Sequence, residues 1–367
     1  MQDERKMILE MVAEEKISAD EAAELLHALA STAPSQSTES PGKPRRGRRA
    51  RRDGESRGRS ILENFLNNLD VDWGSLPFAF GGEAYRFEER FEGEFAGEGP
   101  IILDLQARNG RIEVFGSEAK GWRAVLRKKV RAQDEAQAKQ RAAEIAKFSS
   151  GPQTIRFTEE TKGWNGSGVS LEIHVPQNLV YDVQARSSNG RVVIENLRAT
   201  DLVGRTANGK VAAVAVAAGT ADLTTANGNI SFTGTAGDLE CKTANGSIQF
   251  RLVPESNMRC RLRTTNGSIK VRTPADHGLG HKVKAQTGHG GLEVSLPDFE
   301  VKYEEKQFGR RRLEGQTRGY DDKGVKLEMT ARATNGSIKV LSGEPSGERP
   351  PAPRNPADET GTAPEGI

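Results

Sequence analysis

Residues 206–250 read TANGKVAAVAVAAGTADLTTANGNISFTGTAGDLECKTANGSIQF and hold three copies of one short phrase, with Asn-Gly at 208–209, 227–228 and 245–246. The same step recurs at Asn109-Gly110, Asn189-Gly190, Asn266-Gly267 and Asn335-Gly336. From Asn189 the intervals are 19, 19, 18 and 21 residues, the mark of a repeat array. A further copy lies 23 residues beyond Asn266, where Gly288-His289-Gly290-Gly291 puts His289 in the Asn position.

Counting back from each Asn, even positions are apolar or small: Ala221, Leu223 and Thr225, then Leu239, Cys241 and Thr243, then Cys260, Leu262 and Thr264. The odd positions between them are polar, as in Asp222 and Thr224, Glu240 and Lys242, Arg261 and Arg263. This is the period-two pattern of a strand with one buried face. Beyond the Gly, apolar pairs follow, such as Ile230/Phe232, Ile248/Phe250 and Ile269/Val271. The unit is strand, Asn-Gly corner, strand and a second turn. Asn-Gly tolerates positive φ, which predicts a tight corner. A hairpin meander and a β-solenoid both use such a unit. Near-identity at fixed columns favours stacking, so a parallel β-helix-like solenoid is expected, roughly 40 Å long at ~4.8 Å per coil.

A chain of 367 residues has room for two to three domains and a sizeable core. A net charge of +2 selects no class of partner, but the charge is unevenly spread. Cys241 and Cys260 fall at staggered apolar positions and read as buried small hydrophobes. The polar opening Gln2-Asp3-Glu4-Arg5-Lys6 is no signal peptide, and no stretch approaches a membrane span. These features predict a cytoplasmic protein, or one peripheral at the inner face of a membrane, with the cell surface by a non-classical route as the alternative.

Residues 1–30 read as a helical hairpin. Met7, Ile8, Met11 and Val12 stripe the first helix, the capping box Ser18–Glu21 opens the second, and Leu25, Leu26 and Leu29 share one side of it. So small a unit is expected to dock or self-associate. Residues 31–59 are a disordered linker that becomes basic at Lys43, Arg45, Arg46, Arg48, Arg49, Arg51, Arg52, Arg57 and Arg59. Residues 60–82 carry an amphipathic helix (Ile61, Leu62, Phe65, Leu66, Leu69) and then Trp73, Leu76, Phe78 and Phe80. The β domain spans 83–342, with a helix expected near 134–147 inside the 80-residue interval between Asn109 and Asn189, read as elaborated coils. A protruding hairpin is expected before Asn335, and 343–367 reads as a disordered tail.

The run from Thr206-Ala207-Asn208-Gly209 to Thr243-Ala244-Asn245-Gly246-Ser247-Ile248, the Val175-Pro176 step and the closing Thr334-Asn335-Gly336-Ser337-Ile338 resemble the bacterial β-repeat family of unknown function labelled "putative adhesin". The N-terminal Lys16–Ala22 with Leu25-Leu26 is similar to the short SHOCT-like helical domain of the YvlB/LiaX type. The resemblance implies a β-solenoid-like fold, no established enzymatic activity, and in some relatives a link to cell-envelope stress. This chain departs from it at His289 and in its arginine-rich linker.

The position three before each Asn holds Arg186, Arg205, Thr224, Lys242, Arg263, Gln286 and Arg332. Stacking would set these cations in a stripe suited to an anionic polymer, polysaccharide or nucleic acid. Arg45, Arg46, Arg48, Arg49, Arg51 and Arg52, with Phe65 and Trp73, fit contact with an anionic membrane. Aromatic residues are not interleaved with those arginines as stacking on bases needs. His277, His281 and His289 read as loop histidines, without the ligands of a metal site. An enzymatic reading as a polysaccharide-active β-helix has only the neighbouring Asp222 and Glu240, flanked by Val203 and Arg261 in their column. No nucleophile motif, phosphate loop, cofactor motif or small-molecule substrate is found. The expectation is a non-enzymatic scaffold with a docking hairpin, which meets a protein partner or a second copy and acts in envelope-associated interaction or stress response. The alternative is an anionic-polymer binder.

Overall fold

The computed structural model describes residues 83–97, 99–160, 166–253 and 255–343. The helical hairpin, the basic linker, the amphipathic segment and the tail beyond 343 lie outside them.

In chain order the strands are β1 (Glu83–Gly93), β2 (Ile101–Ala107), β3 (Ile112–Ser117) and β4 (Trp122–Ala132), then helix α1 (Glu135–Glu144). There follow β5 (Ala146–Gly151), β6 (Thr154–Glu159), β7 (Gly168–Pro176), β8 (Val180–Ser187), β9 (Val192–Glu195) and β10 (Arg198–Asn208). Next come β11 (Val211–Asn227), β12 (Ile230–Asn245), β13 (Ile248–Leu252), β14 (Met258–Asn266), β15 (Ile269–Thr273) and β16 (Leu279–His289). The last are β17 (Leu292–Ser295), β18 (Phe299–Gln307), β19 (Arg310–Thr317), β20 (Val325–Asn335) and β21 (Ile338–Ser342).

The fold is a solenoid of parallel coils. Strands before the corners form one face, in the order β6-β2-β8-β10-β11-β12-β14-β20-β16. Strands after the corners form the other, in the order β7-β3-β9-β11-β12-β13-β15-β21-β17. β11 and β12 run through both faces, and β11 bends at Ala215, an extra residue with φ 53° at a register shift.

Alternation fills the interior. Along one inner column Ala185, Gly204, Leu223, Cys241, Leu262, Ala331 and Ala285 lie side by side across seven coils. Large residues sit beside small ones there: a Cβ on Gly204 would meet Leu223 Cδ2 and Val211 Cγ1, each at 3.1 Å. On the other face Phe232 and Phe250 pack with ring centroids 5.6 Å apart. Cys241 and Cys260 are buried and free, each beside a leucine of the neighbouring coil.

Stacking order departs from chain order at two places, which corrects the reading of the intervals. The 80-residue interval does not lie between the coils of Asn109 and Asn189. β8–β9 packs directly on β2–β3, and the intervening β4–β7 build the outer end. There β1 and β4 pair antiparallel next to β7, and α1, N-capped by Asp134, buries Ala138 and Ala142. Buried Lys128 ties these pieces, donating to Glu89 Oε1 (2.7 Å) and to the Ala142 carbonyl (2.8 Å). At the other end the last coil, β20–β21, is inserted between β14–β15 and β16–β17. The hairpin of β18 and β19 extends the first face antiparallel to β16.

The corners need a second correction. Asn109, Asn189, Asn208, Asn227, Asn245, Asn266 and Asn335 all have negative φ; among the described residues the non-glycine ones with positive φ are Asn196, Ala215, Asp298 and Phe308. Asn is there for its side chain. Each amide from Asn189 onward donates to Oδ1 of the Asn one coil before it, at 2.8–2.9 Å, in an unbroken ladder from Asn335 to Asn109. Gly209, Gly267 and Gly336 do take φ of 151–156°, but Gly190, Gly228 and Gly246 lie outside the left-handed range. Their common requirement is closeness. A Cβ on Gly190, Gly228, Gly246 or Gly336 would sit 1.9 Å from the carbonyl oxygen of the corner Gly next to it in the stack.

Candidate functional site

Two surfaces follow from this lattice, the corner edge and the outer side of the face before the corners. At the edge, the residue two before the Asn points inward and its hydroxyl closes the corner. Thr206, Thr225, Thr243 and Thr264 donate to the carbonyls of Gly190, Gly209, Gly228 and Gly246 at 2.8–3.0 Å. Ser187 does the same to Gly110 and Thr287 to Gly336. Where the ladder starts, Glu159 at the end of β6 holds the first corner: its Oε2 accepts the backbone N–H groups of Arg108 (2.6 Å) and Asn109 (2.9 Å). Burial raises the Glu159 pKa, and these backbone donors oppose the rise.

The residue three before each Asn points outward. Registers place Gln106, Arg186, Arg205, Thr224, Lys242, Arg263, Arg332, Gln286 and Arg312 in one continuous row. All five sequence-predicted stripe cations are therefore in line, but they differ chemically. Arg205 bonds Asp222 at 2.5 Å, and Arg186 bonds Gln184 at 2.8 Å with Asp104 at 3.9 Å. Lys242, Arg263 and Arg332 are consecutive and have no ion pair among the described residues. The rows behind are balanced across coils: Arg261 faces Glu240 (3.9 Å), Arg259 faces Asp238 (3.2 Å) and Glu328 (3.8 Å), and Lys282 faces Glu328 (3.6 Å). Such exposed pairs are each worth about 0–1 kcal/mol and serve mainly to cancel charge. The uncancelled positive charge lies along the corner-side row.

Asp222 and Glu240 are neighbours in register, as read from the sequence, and both are engaged by arginines rather than gathered in a groove. Among the described residues no group of three His, Cys, Asp or Glu side chains could hold a metal ion. His277 is exposed on a loop, 3.1 Å from Asp298. His281 is not a loop residue. It lies on β16, fully buried between Thr273 and Thr317, and burial lowers its pKa to about 4. Sequence reasoning placed the Thr column inward but missed the hydrogen bonds of its hydroxyls, and it missed Glu159 and, in the expected hairpin, Phe308. The Thr column was visible as a repeated T-x-N-G. Arg45, Arg46, Arg48, Arg49, Arg51, Arg52, Phe65, Trp73, Leu25, Leu26 and Leu29 lie outside the described residues. No helix among those described is long and apolar enough to cross a membrane.

Stacked two-strand coils, an amide ladder along the corners and ordered outer rows define a β-solenoid repeat protein. The chain belongs to the Toastrack DUF4097 family, whose domain matches residues 110–340, and a SHOCT-like domain matches residues 3–32. No curated protein matches the chain. Among solved structures it is similar to a putative cell adhesion protein from Clostridium sporogenes, at 14% identity over 71% of this chain and 100% of that one, with a TM-score of 0.31. It is also similar to a putative adhesin from Bacteroides fragilis (11% identity, 69% and 97% covered, TM-score 0.33) and to one from Parabacteroides distasonis (7%, 71% and 98%, 0.28).

Proposed function

We propose that this protein is a non-enzymatic solenoid scaffold that docks through its N-terminal helical domain and acts in envelope-associated interaction or stress response. The observation that carries the reading is the lattice itself. Coil after coil repeats one corner and one set of outward rows over a filled core, which suits a rigid display surface. The SHOCT-like stretch at 3–32 contains Leu25, Leu26 and Leu29, which supply an apolar face for a protein partner or a second copy. The arginines at 45–52, with Phe65 and Trp73, supply a contact for an anionic membrane, which places the protein at the periphery of that surface. The test is the triple change Leu25→Asp, Leu26→Asp and Leu29→Asp in the full chain. Light scattering and co-purification from fractionated cells are expected to show a changed oligomer size or a lost partner, with the β domain still folded. Identical behaviour of mutant and parent would remove the docking role.

A second reading is favoured by one observation, the run of cations Lys242, Arg263 and Arg332 on adjacent coils, with no ion pair among the described residues. Three positive charges at roughly 4.8 Å intervals suit a linear polyanion, polysaccharide or nucleic acid, held by charge.

A further inference from the structure

The β18–β19 hairpin closes with Gln307 opposite Arg310, leaving Phe308 and Gly309 as its two-residue turn. Both have positive φ, 41° and 89°. Turns of this kind favour Asn or Gly, and a bulky aromatic at positive φ is an outlier. Phe308 is also fully exposed, at 106% of its reference area. Local folding gives no reason for a phenylalanine here, and strain of this kind points toward a role outside the fold.

The turn itself is basic. Residues 306–312 read Lys-Gln-Phe-Gly-Arg-Arg-Arg, four cations and no acid. Lys306 is paired with Glu304 (2.7 Å) and Arg312 with Glu314, and Glu305, which accepts the Tyr303 hydroxyl (3.1 Å), keeps its charge opposite Arg312 on the facing strand. Arg310 lies against the neutral amide of Gln286, and Arg311 has no ion pair among the described residues. The tip stands at the corner edge, where a Cβ on Gly309 would be 3.5 Å from His289 Cδ2. Arg312 and Arg332 flank Gln286 in the row beside it.

We propose that this tip is a membrane-contact element, with Phe308 entering the headgroup–acyl boundary of an anionic lipid surface and Arg310 and Arg311 meeting its phosphates. A convex tip carrying one ring and two cations outside any ion pair among the described residues suits a lipid interface, which takes an inserted apolar side chain and attracts positive charge at once. It offers neither a groove nor successive rings for stacking bases. The tip adds a second contact to the peripheral placement proposed from residues 45–73, and the two fail separately.

The experiment uses the full chain with Gln307→Cys carrying an environment-sensitive fluorophore. Labelling is directed to that site because Cys241 and Cys260 are buried. Vesicles of phosphatidylglycerol and phosphatidylcholine are expected to shift the emission to the blue, and vesicles of phosphatidylcholine alone are not. In the same background Phe308→Ser should abolish the shift and weaken vesicle binding about tenfold, the scale of a partly buried aromatic ring. Phe308→Leu should restore both, and the melting temperature should not change. An absent shift, or one unaltered by Phe308→Ser, overturns the proposal. A shift produced equally by heparin or a single-stranded oligonucleotide, and indifferent to Phe308, makes the tip a polyanion contact and also overturns it. If deleting 43–59 abolishes vesicle binding while Phe308→Ser leaves it intact, the linker holds the surface alone. The tip proposal then falls and the peripheral reading stands.

Discussion

The side-chain amide of Asn335 donates to Oδ1 of Asn266 at 2.9 Å, across 69 residues of chain. That bond marks an order set by the backbone registers, with the final coil beside the coil of Asn266 and the coil of His289 beyond it. Interior ladder positions make two such bonds. Asn245→Ala should remove the donation to Asn227 and the acceptance from Asn266, at a cost of about 1–2 kcal/mol for two exposed bonds. Chemical denaturation of the β domain measures this. A loss no greater than that of a surface alanine elsewhere would make the ladder a consequence of stacking rather than a support for it.

Gly228→Ala tests coil spacing. Its Cβ would lie 1.9 Å from the Gly209 carbonyl oxygen, a backbone atom that moves only if the coils part. A cost above 3 kcal/mol is expected, on the order of the more severe single substitutions. Gly324→Ala is the control, since nothing lies within 4 Å of its Cβ and its φ is not positive. Equal melting temperatures for the two variants would contradict the close approach.

Thr243→Val keeps shape and removes the hydroxyl that donates to the Gly228 carbonyl at 3.0 Å. The buried site makes that loss worth about 1–2 kcal/mol. Asn245→Ala and Thr243→Val act on one corner, so their double mutant should show coupling rather than simple addition.

The repeat and its inward columns were legible because a period of about 19 residues and a period of two are local properties of the chain. The stacking order was not. Asn189 meets Asn109 across 80 residues and Asn335 meets Asn266 across 69, and no spacing rule marks which coil receives which. The role of Asn was misread for a different reason: the same dipeptide makes a hairpin turn or, in parallel register, an amide ladder, and only the neighbouring chain decides. Alternation fixed the outward row of Arg186, Arg205, Lys242, Arg263 and Arg332. Loss of the free charge at Arg205 depends on Asp222, which sits one coil over and two residues back. The short run His277–His281 looked like loop because glycines punctuate it, yet Leu279 already begins β16.

Buried His281 should give the domain an acid-sensitive term. Its native pKa is lowered by burial from 6.5 to about 4, so the unfolded chain binds the proton more readily. The stability it contributes is fully present above pH 6.5, declines as pH falls, and is lost by about pH 4, a total of about 3 kcal/mol. In His281→Gln this part of the pH dependence should vanish, whatever the offset at neutral pH. Denaturation midpoints at pH 7.5, 6, 5 and 4 measure it. Parallel curves for parent and variant would show that carboxylates alone set the acid limit.

The cation row yields the sharpest separation of the two functional readings. Lys242, Arg263 and Arg332 are adjacent and have no ion pair among the described residues, whereas Arg186 and Arg205 are tied to acceptors on their own face. If the row holds a polyanion, replacing the three free cations with Gln should weaken binding more than replacing Arg186 and Arg205. The first change should also flatten the salt dependence, because each lost contact releases fewer counterions; a slope reduced by about two to three is expected for three contacts. Folding should be unaffected, since all three side chains point to solvent. Titrations of the full chain against heparin and a single-stranded oligonucleotide, at 50 and 200 mM salt, provide the measurement. Equal affinities and slopes for parent, triple and double variants would leave the row as a solvated face, and the scaffold reading would then rest on the docking proposed for the N-terminal SHOCT-like domain and on the lattice alone.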